Sequence, residues 1–308
     1  RPLRGASLVS TVSQLHESRH NKRVPELPDV TVYLETVGAR LIGQRLRRVA
    51  LRSPFVLRSV DPPLDAVAGQ IVRGLRRIGK RIVIECGPDL FLVIHLMIAG
   101  RLRWRAAGAA VGLGPKLVLA VFECDHGALY FTEAGTQKRA SLTVVRGEAA
   151  LQAIDRGGLE PLGASAEAFH AALQRENHTL KRALTDPRLF SGIGNAYSDE
   201  ILHAARLSPL KLTRALTAAE AATLHAATQT TLLDWIGRLR ARAGGQVPEK
   251  VTAFHDDMAV HGRFGQPCPV CASPVQRIVY ATNECNYCAR CQTGGRLLAD
   301  RSLSRLLK

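Results

Sequence analysis

Four cysteines in the last fifth of the chain constrain its fold more than any other feature. Cys268-x-x-Cys271 and Cys288-x-x-Cys291 are separated by sixteen residues, within the spacing window of a four-cysteine zinc site. The spacing predicts one structural zinc ion. Five of the seven cysteines crowd into this region, and an odd number so tightly clustered argues for metal in a reducing compartment rather than a disulfide framework. Pairing Cys285 with Cys288 leaves only thirteen residues after Cys271, shorter than that window, so Cys285 reads as a bystander thiol. Cys86 and Cys124 stand alone in strand-like segments.

Upstream of this module the pattern changes twice. After a first helix over about Val30 to Leu41, short β-type runs follow, among them Arg81 to Glu85, Leu90 to Ile94, Lys116 to Phe122 and Ala128 to Phe131, punctuated by Gly, Pro and Asp. No long helices alternate with them, which argues for an antiparallel sandwich over a parallel α/β sheet. From residue 151 to about 243 the pattern is helical, rich in Ala, Leu, Glu, Arg and Gln, and Gly244-Gly245 ends it. The expected class is α+β and multidomain. Its units are an extension (1–24), a β-sandwich (25–150), a helical unit (151–257), the four-cysteine finger (258–293) and a basic tail (294–308).

The 308 residues carry a formal net charge of +16, and 46% are hydrophobic. Real cores are therefore expected, and a polyanion is the first partner to consider. No span reaches the ~18 apolar residues of a membrane helix. A soluble, cytoplasmic protein is expected, associated with the nucleoid should that polyanion be DNA, with organelle import if the first 24 residues are a transit peptide.

Pro25 and Glu26 open the run Pro25-Glu26-Leu27-Pro28-Asp29-Val30. A terminal proline beside a glutamate makes a complete lyase site, whereas a proline inside the chain has its lone pair delocalised into a peptide bond and cannot attack carbon. Such chemistry requires that Arg1 to Val24 be absent from the working protein. That stretch has five bases against Glu17 as its one acid, leaving a net +12 of the +16 downstream. It resembles a transit peptide, or the upstream part of a wrongly started gene in which Val24 marks a GTG start codon.

Further along, Ser191-Gly192-Ile193-Gly194-Asn195 precedes a helical run. Two glycines there allow close backbone approach to a phosphate, and Asn195 is placed to cap the helix or bind an anion at its positive end. Pro25 to Asp29, Gly79-Lys80 ahead of a strand, His95-x-x-x-x-Gly100, Gly192 to Glu200, His261-Gly262-Arg263 and the four cysteines occur in this order. Together they resemble the formamidopyrimidine-DNA glycosylase and endonuclease VIII family over nearly all of residues 25 to 293.

The resemblance implies a two-layer antiparallel β-sandwich with flanking helices, a helix-two-turns-helix domain and a zinc-finger hairpin. It implies a monomer that holds damaged double-stranded DNA between its domains, removes an oxidised base through a Schiff base on Pro25, and nicks the strand by elimination. Glu26 matches the family's proton-transfer residue. Lys80 matches a lysine on the phosphate beside the lesion, while Lys181, Asn195 and Arg263 match phosphate-contacting positions. His95 lies beside the loop that probes the DNA, where Met97 or Ile98 would be the wedge filling the space of a flipped base.

Several departures bear on substrate. The region 132–140 has no Arg-x-Phe, the segment from Gly245 to His261 is short for a lesion-capping loop, and Asn283 stands where a phosphate-binding arginine is usual. Oxidised purines are the expected substrates. Oxidised pyrimidines are the alternative, as is a catalytically silent lesion binder if residues 1–24 are retained. A zinc-ribbon RNA-binding protein would fit the charge and the finger but leaves Pro25-Glu26 unexplained.

Overall fold

The structure is a computed structural model that describes residues 24–134, 137–249, 251, 255–280 and 283–299. The extension up to Arg23, the hairpin tip Ala281-Thr282, the side chain of Asn283 and the tail from Asp300 lie outside the described residues, as do the roles read for them. Among the described residues no helix is long and apolar enough to cross a membrane.

Helix α1 spans Leu27–Leu41, three residues earlier than the apolar pattern suggests. Pro28 is tolerated there because the first helical turn has no partner for the missing N–H. Two antiparallel sheets follow. One has the order β1 (Leu46–Leu51), β6 (Val118–Cys124), β7 (Gly127–Glu133) and β5 (Gly100–Ala106). The other runs β2 (Val72–Ile78), β3 (Arg81–Cys86), β4 (Leu90–His95) and β8 (Ser141–Arg146).

Strand β4 shows why its sequence lacks the usual polar alternation. Leu90, Leu92 and Ile94 face the core between the sheets, while Phe91 and Val93 join Ile78, Val83, Val145 and Leu151 on the opposite face. That outer face is covered by the short helix α2 (Glu148–Gln152), which supplies Leu151, so both sides of the strand are dry.

The helical unit contains α3 (Ala166–Gln174), α4 (Leu180–Thr185), α5 (Asn195–Ala204) and α6 (Ala218–Ala243). Thr217 and Glu220 close a reciprocal cap at the start of α6, and Gly244 ends it in the left-handed region at φ 54°. The core of this unit gathers Phe169, Leu180, Leu184, Phe190, Tyr197 and Trp235, and it also takes Leu27 from α1. The Leu27 N–H donates to Gly192 O at 3.0 Å. The Pro25-Glu26 segment is thereby threaded between sandwich and helices. The chain ends in a hairpin of β9 (Val275–Tyr280) and β10 (Asn283–Cys288), followed by α7 (Ala289–Thr293).

Candidate active site and metal cluster

Glu26 is only 3% exposed. Its carboxylate accepts from Gly194 N at 2.7 Å, Ala196 N at 3.0 Å and Tyr197 N at 3.3 Å. These are orphan donors at the start of α5, where the helix dipole favours a negative charge. The sequence reading left Asn195 either to cap this helix or to bind an anion at its positive end. The cap position is instead Gly194, Asn195 is the first helical residue, and the capping acceptor comes from Glu26, 168 residues away. The Asn195 side chain instead donates to Glu284 O on β10 at 2.8 Å.

Lys80, in the turn between β2 and β3, reaches the same place. A Cβ on Gly194 would lie 2.0 Å from Lys80 Nζ and 2.5 Å from Glu26 Oε1. Glycine at 194 is what lets a cation, a carboxylate and a helix start converge. At Gly192 (φ 81°) a Cβ would meet Arg77 Nη1 at 2.5 Å, so both glycines of the turn serve close approach. Pro25 is buried beside Glu26. The Glu26 N–H donates to Asp29 Oδ2 at 2.9 Å, and burial holds the Asp29 carboxyl above its usual range, against the opposing pull of His255, 3.9 Å away, and of the Glu26 N–H.

His95 ends β4 opposite Arg81. With Lys80, Arg81, Arg156 and Gly192 it lines a cavity of about 260 Å³. Burial, together with the Arg81 and Lys80 charges, pushes its imidazole down to about 4, so it is neutral at physiological pH. The next loop holds Met97 at φ 51°, an uncommon conformation for a side chain with a Cβ. It closes on Gly100, where a Cβ would meet Leu96 O at 2.2 Å. Met97 and Ile98 are half-buried.

The remaining candidates lie on the helical side, each engaged within the protein. Lys181 Nζ donates to Asp199 Oδ1 at 2.5 Å and to Asn195 O at 2.6 Å. Arg263 Nη1 donates to Met258 O at 2.9 Å and its Nε to Gln266 Oε1 at 3.1 Å. Asp199, wholly buried, lies 2.8 Å from His261 Nδ1 and accepts from Asn286 N at 3.1 Å. Burial works against its charge, yet the Lys181 ammonium and His261 prevail and hold it below the usual carboxylate range. Glu200 accepts from Ala259, Val260 and His261 N–H at 2.7 to 2.9 Å. Sequence reasoning missed Asp199, Glu200 and Arg77. The adjacent acids on an otherwise buried helix were the available signal.

At the chain's end, Cys268, Cys271, Cys288 and Cys291 place their sulfurs within 4.8 Å of one another. Cys271 to Cys288 is 3.4 Å and Cys268 to Cys291 is 3.9 Å, bracketing the about 3.8 Å expected between sulfurs around a tetrahedral ion with 2.3 Å bonds. The donor set fits one thiophilic metal. Cys285 is buried and outside the cluster.

A sandwich and a helical unit that close a glutamate, a lysine and a glycine-rich helix start into one basic cleft are the arrangement expected of a base-excision DNA glycosylase. Family models bear this out. The formamidopyrimidine-DNA glycosylase N-terminal domain matches residues 24–139 and the H2TH domain of the same enzymes matches 158–240. The formamidopyrimidine-DNA glycosylase of Desulforamulus reducens is 32% identical over 286 residues, covering 87% of this chain and 99% of that one. The solved MutM (Fpg) protein of Thermus thermophilus is 30% identical with a TM-score of 0.72, covering 87% of this chain and 98% of that one. A Lactococcus lactis Fpg bound to DNA containing an oxidised pyrimidine shares the fold, at TM-score 0.76 and 24% identity over 87% of this chain and all of its own. The chain belongs to the formamidopyrimidine-DNA glycosylase family.

Proposed function

We propose that the chain excises oxidised purines, formamidopyrimidines and 8-oxoguanine, from duplex DNA and then nicks the strand, acting as a monomer with the Pro25 nitrogen as nucleophile. The observation that carries this reading is the Glu26 carboxylate, fixed by three N–H donors with Lys80 Nζ at the same glycine.

The reading requires that the Val24–Pro25 bond be absent in the active form; the similarity to the family's N-terminal domain begins beside that bond, at residue 24. A free secondary amine with a pKa near 8 is partly neutral at physiological pH. It attacks C1′ of the damaged nucleotide, and the C1′–N bond to the base breaks as the base takes up a proton. The Pro25 nitrogen then gives up its proton and the C1′–O4′ bond breaks as O4′ takes one up, leaving an iminium that acidifies the C2′ proton, whose removal expels the 3′ phosphate. Glu26 relays protons to the opening sugar and Lys80 holds the adjacent phosphate. His95, Met97 and Ile98 face the gap left by the flipped nucleotide, while Asn195, Lys181 and Arg263 meet the backbone with the donors not already used internally.

A cavity of about 350 Å³ between α1 and the segment after α6 is the proposed base pocket, with Asp29, Arg242, Val247, Pro248 and His255 among its lining residues. His255 Nε2 is buried without a hydrogen-bond partner, 3.9 Å from Asp29 Oδ1. Such groups suit the polar edge of a purine. One zinc ion, held by Cys268, Cys271, Cys288 and Cys291, would contribute folding energy to the finger.

Borohydride trapping on an abasic duplex tests the nucleophile. A chain beginning at Pro25 is expected to form a covalent adduct, and one retaining Arg1 to Val24, confirmed by mass, is not. Equal trapping by both sinks the assignment. Turnover on duplexes carrying 8-oxoguanine, a formamidopyrimidine and an oxidised pyrimidine should favour the two purines; faster release of the pyrimidine reverses the substrate class.

A further inference from the structure

Cys268 differs from the other three sulfurs of the cluster in what surrounds it. Its Sγ accepts from Val270 N at 3.5 Å, and His203 Nε2 lies 3.3 Å away. His203 stands in the last turn of α5, 65 residues earlier in sequence and 6% exposed. Its neighbours Ile201 and Leu202 are fully buried apolar residues. An aliphatic side chain would fill the same space without the cost of burying a polar ring, so the imidazole needs a polar reason to be there. The sulfur supplies one.

We propose that His203 is an outer-sphere partner of the metal centre, whose Nε2–H donates to the Cys268 thiolate and strengthens metal retention. The inference rests on the zinc reading given above. A metal-bound thiolate carries no proton, so in this contact nitrogen is the donor and sulfur the acceptor. Four thiolates on one divalent ion leave two net negative charges, partly removed from water, since Cys268 and Cys288 are buried and Cys271 and Cys291 half-buried. Each N–H aimed at a sulfur spreads that charge and fixes the direction of the metal–sulfur bond. Cys268 takes one such donor from its own turn and one from α5. Because the donor sits on α5, the finger is tied to the helix whose other end holds Glu26. His203 is a positioning residue, touching neither DNA nor the reacting atoms.

The test compares His203→Met with His203→Gln in the full chain. The two replacements are of similar size and shape, and only Gln retains an N–H near the position of Nε2. Zinc affinity is measured by competition with a chromophoric chelator, and the thiolate-to-metal charge-transfer band is recorded after cobalt(II) substitution. His203→Met should lose roughly 10- to 100-fold in affinity, the usual range for outer-sphere partners, and shift the band to longer wavelength as the Cys268 sulfur becomes a stronger electron donor. His203→Gln should recover most of both. Wild-type affinity and band position in His203→Met overturn the proposal. So do equal losses in both variants, which would mark a packing role. If the wild-type chain takes up neither zinc nor cobalt, the metal reading fails first and the role of His203 falls with it.

Discussion

At the scale of single residues, the site depends on what Gly194 lacks. The Glu26 carboxylate cannot yield easily, because three backbone donors hold it; Lys80, on a flexible stem, can. A methyl group at 194 would overlap Lys80 Nζ and press on Glu26 Oε1, while the backbone at φ −133° tolerates any residue. Gly194→Ala is therefore expected to fold and keep its metal but lose about 100-fold in excision, the cost of roughly an ångström of misplacement at a reacting centre. Single-turnover excision on a lesion duplex, with circular dichroism as the folding control, checks this; a change under threefold would show that Lys80 moves aside without consequence. The Glu26 cap was not legible in the sequence. A carboxylate and a helix start 168 residues apart carry no local spacing signal, so the turn's own asparagine stood as a candidate cap.

Elements show a different balance between what spacing reveals and what it hides. The cysteine pairs were readable because metal ligation imposes fixed local intervals, and the strands were readable from short apolar runs between turn residues. Helix α5 was recognisable as a helix, but its role as a spine was not. It receives Glu26 at its N-terminus, binds Lys181, His261 and Asn286 through Asp199, holds residues 259–261 through Glu200, and presents His203 to the finger. These partners come from five separate places in the chain, and only tertiary packing brings them together. Removing the Asp199 carboxylate leaves the Lys181 ammonium, itself largely buried, without its counter-charge. Asp199→Ala should cost about 3–5 kcal/mol, as for other broken buried pairs, and weaken binding of lesion DNA while four thiols still hold the metal. Urea unfolding and zinc stoichiometry measure the two effects; a loss under 1 kcal/mol would mean that Lys181 finds water instead.

Across the whole molecule, charge and architecture agree. The sandwich, helical unit and finger expected from the residue patterns are present, and the basic surplus accompanies a cleft lined by Lys80, Arg81, His95 and Arg156. Polyanion binding should therefore be strongly salt-dependent. With about six phosphates neutralised, the slope of log affinity against log salt should be near −5, measurable by fluorescence anisotropy on undamaged duplex. Because most of the surplus lies downstream of Val24, a chain starting at Pro25 should keep that slope; a value shallower than about −2 would assign the charge to solubility instead.

The burial of Pro25 and the anchoring of Leu27 to Gly192 also bear on the order of events during maturation. A protease needs several extended residues on each side of the bond it cuts, and here the residues following Val24 are wedged between the sandwich and the helices. Cleavage of the finished protein at that bond would have to wait for the two units to part. If Pro25 supplies the nucleophile as proposed, its amine would have to be exposed in the nascent chain, and the enzyme would close around a terminus that is already free.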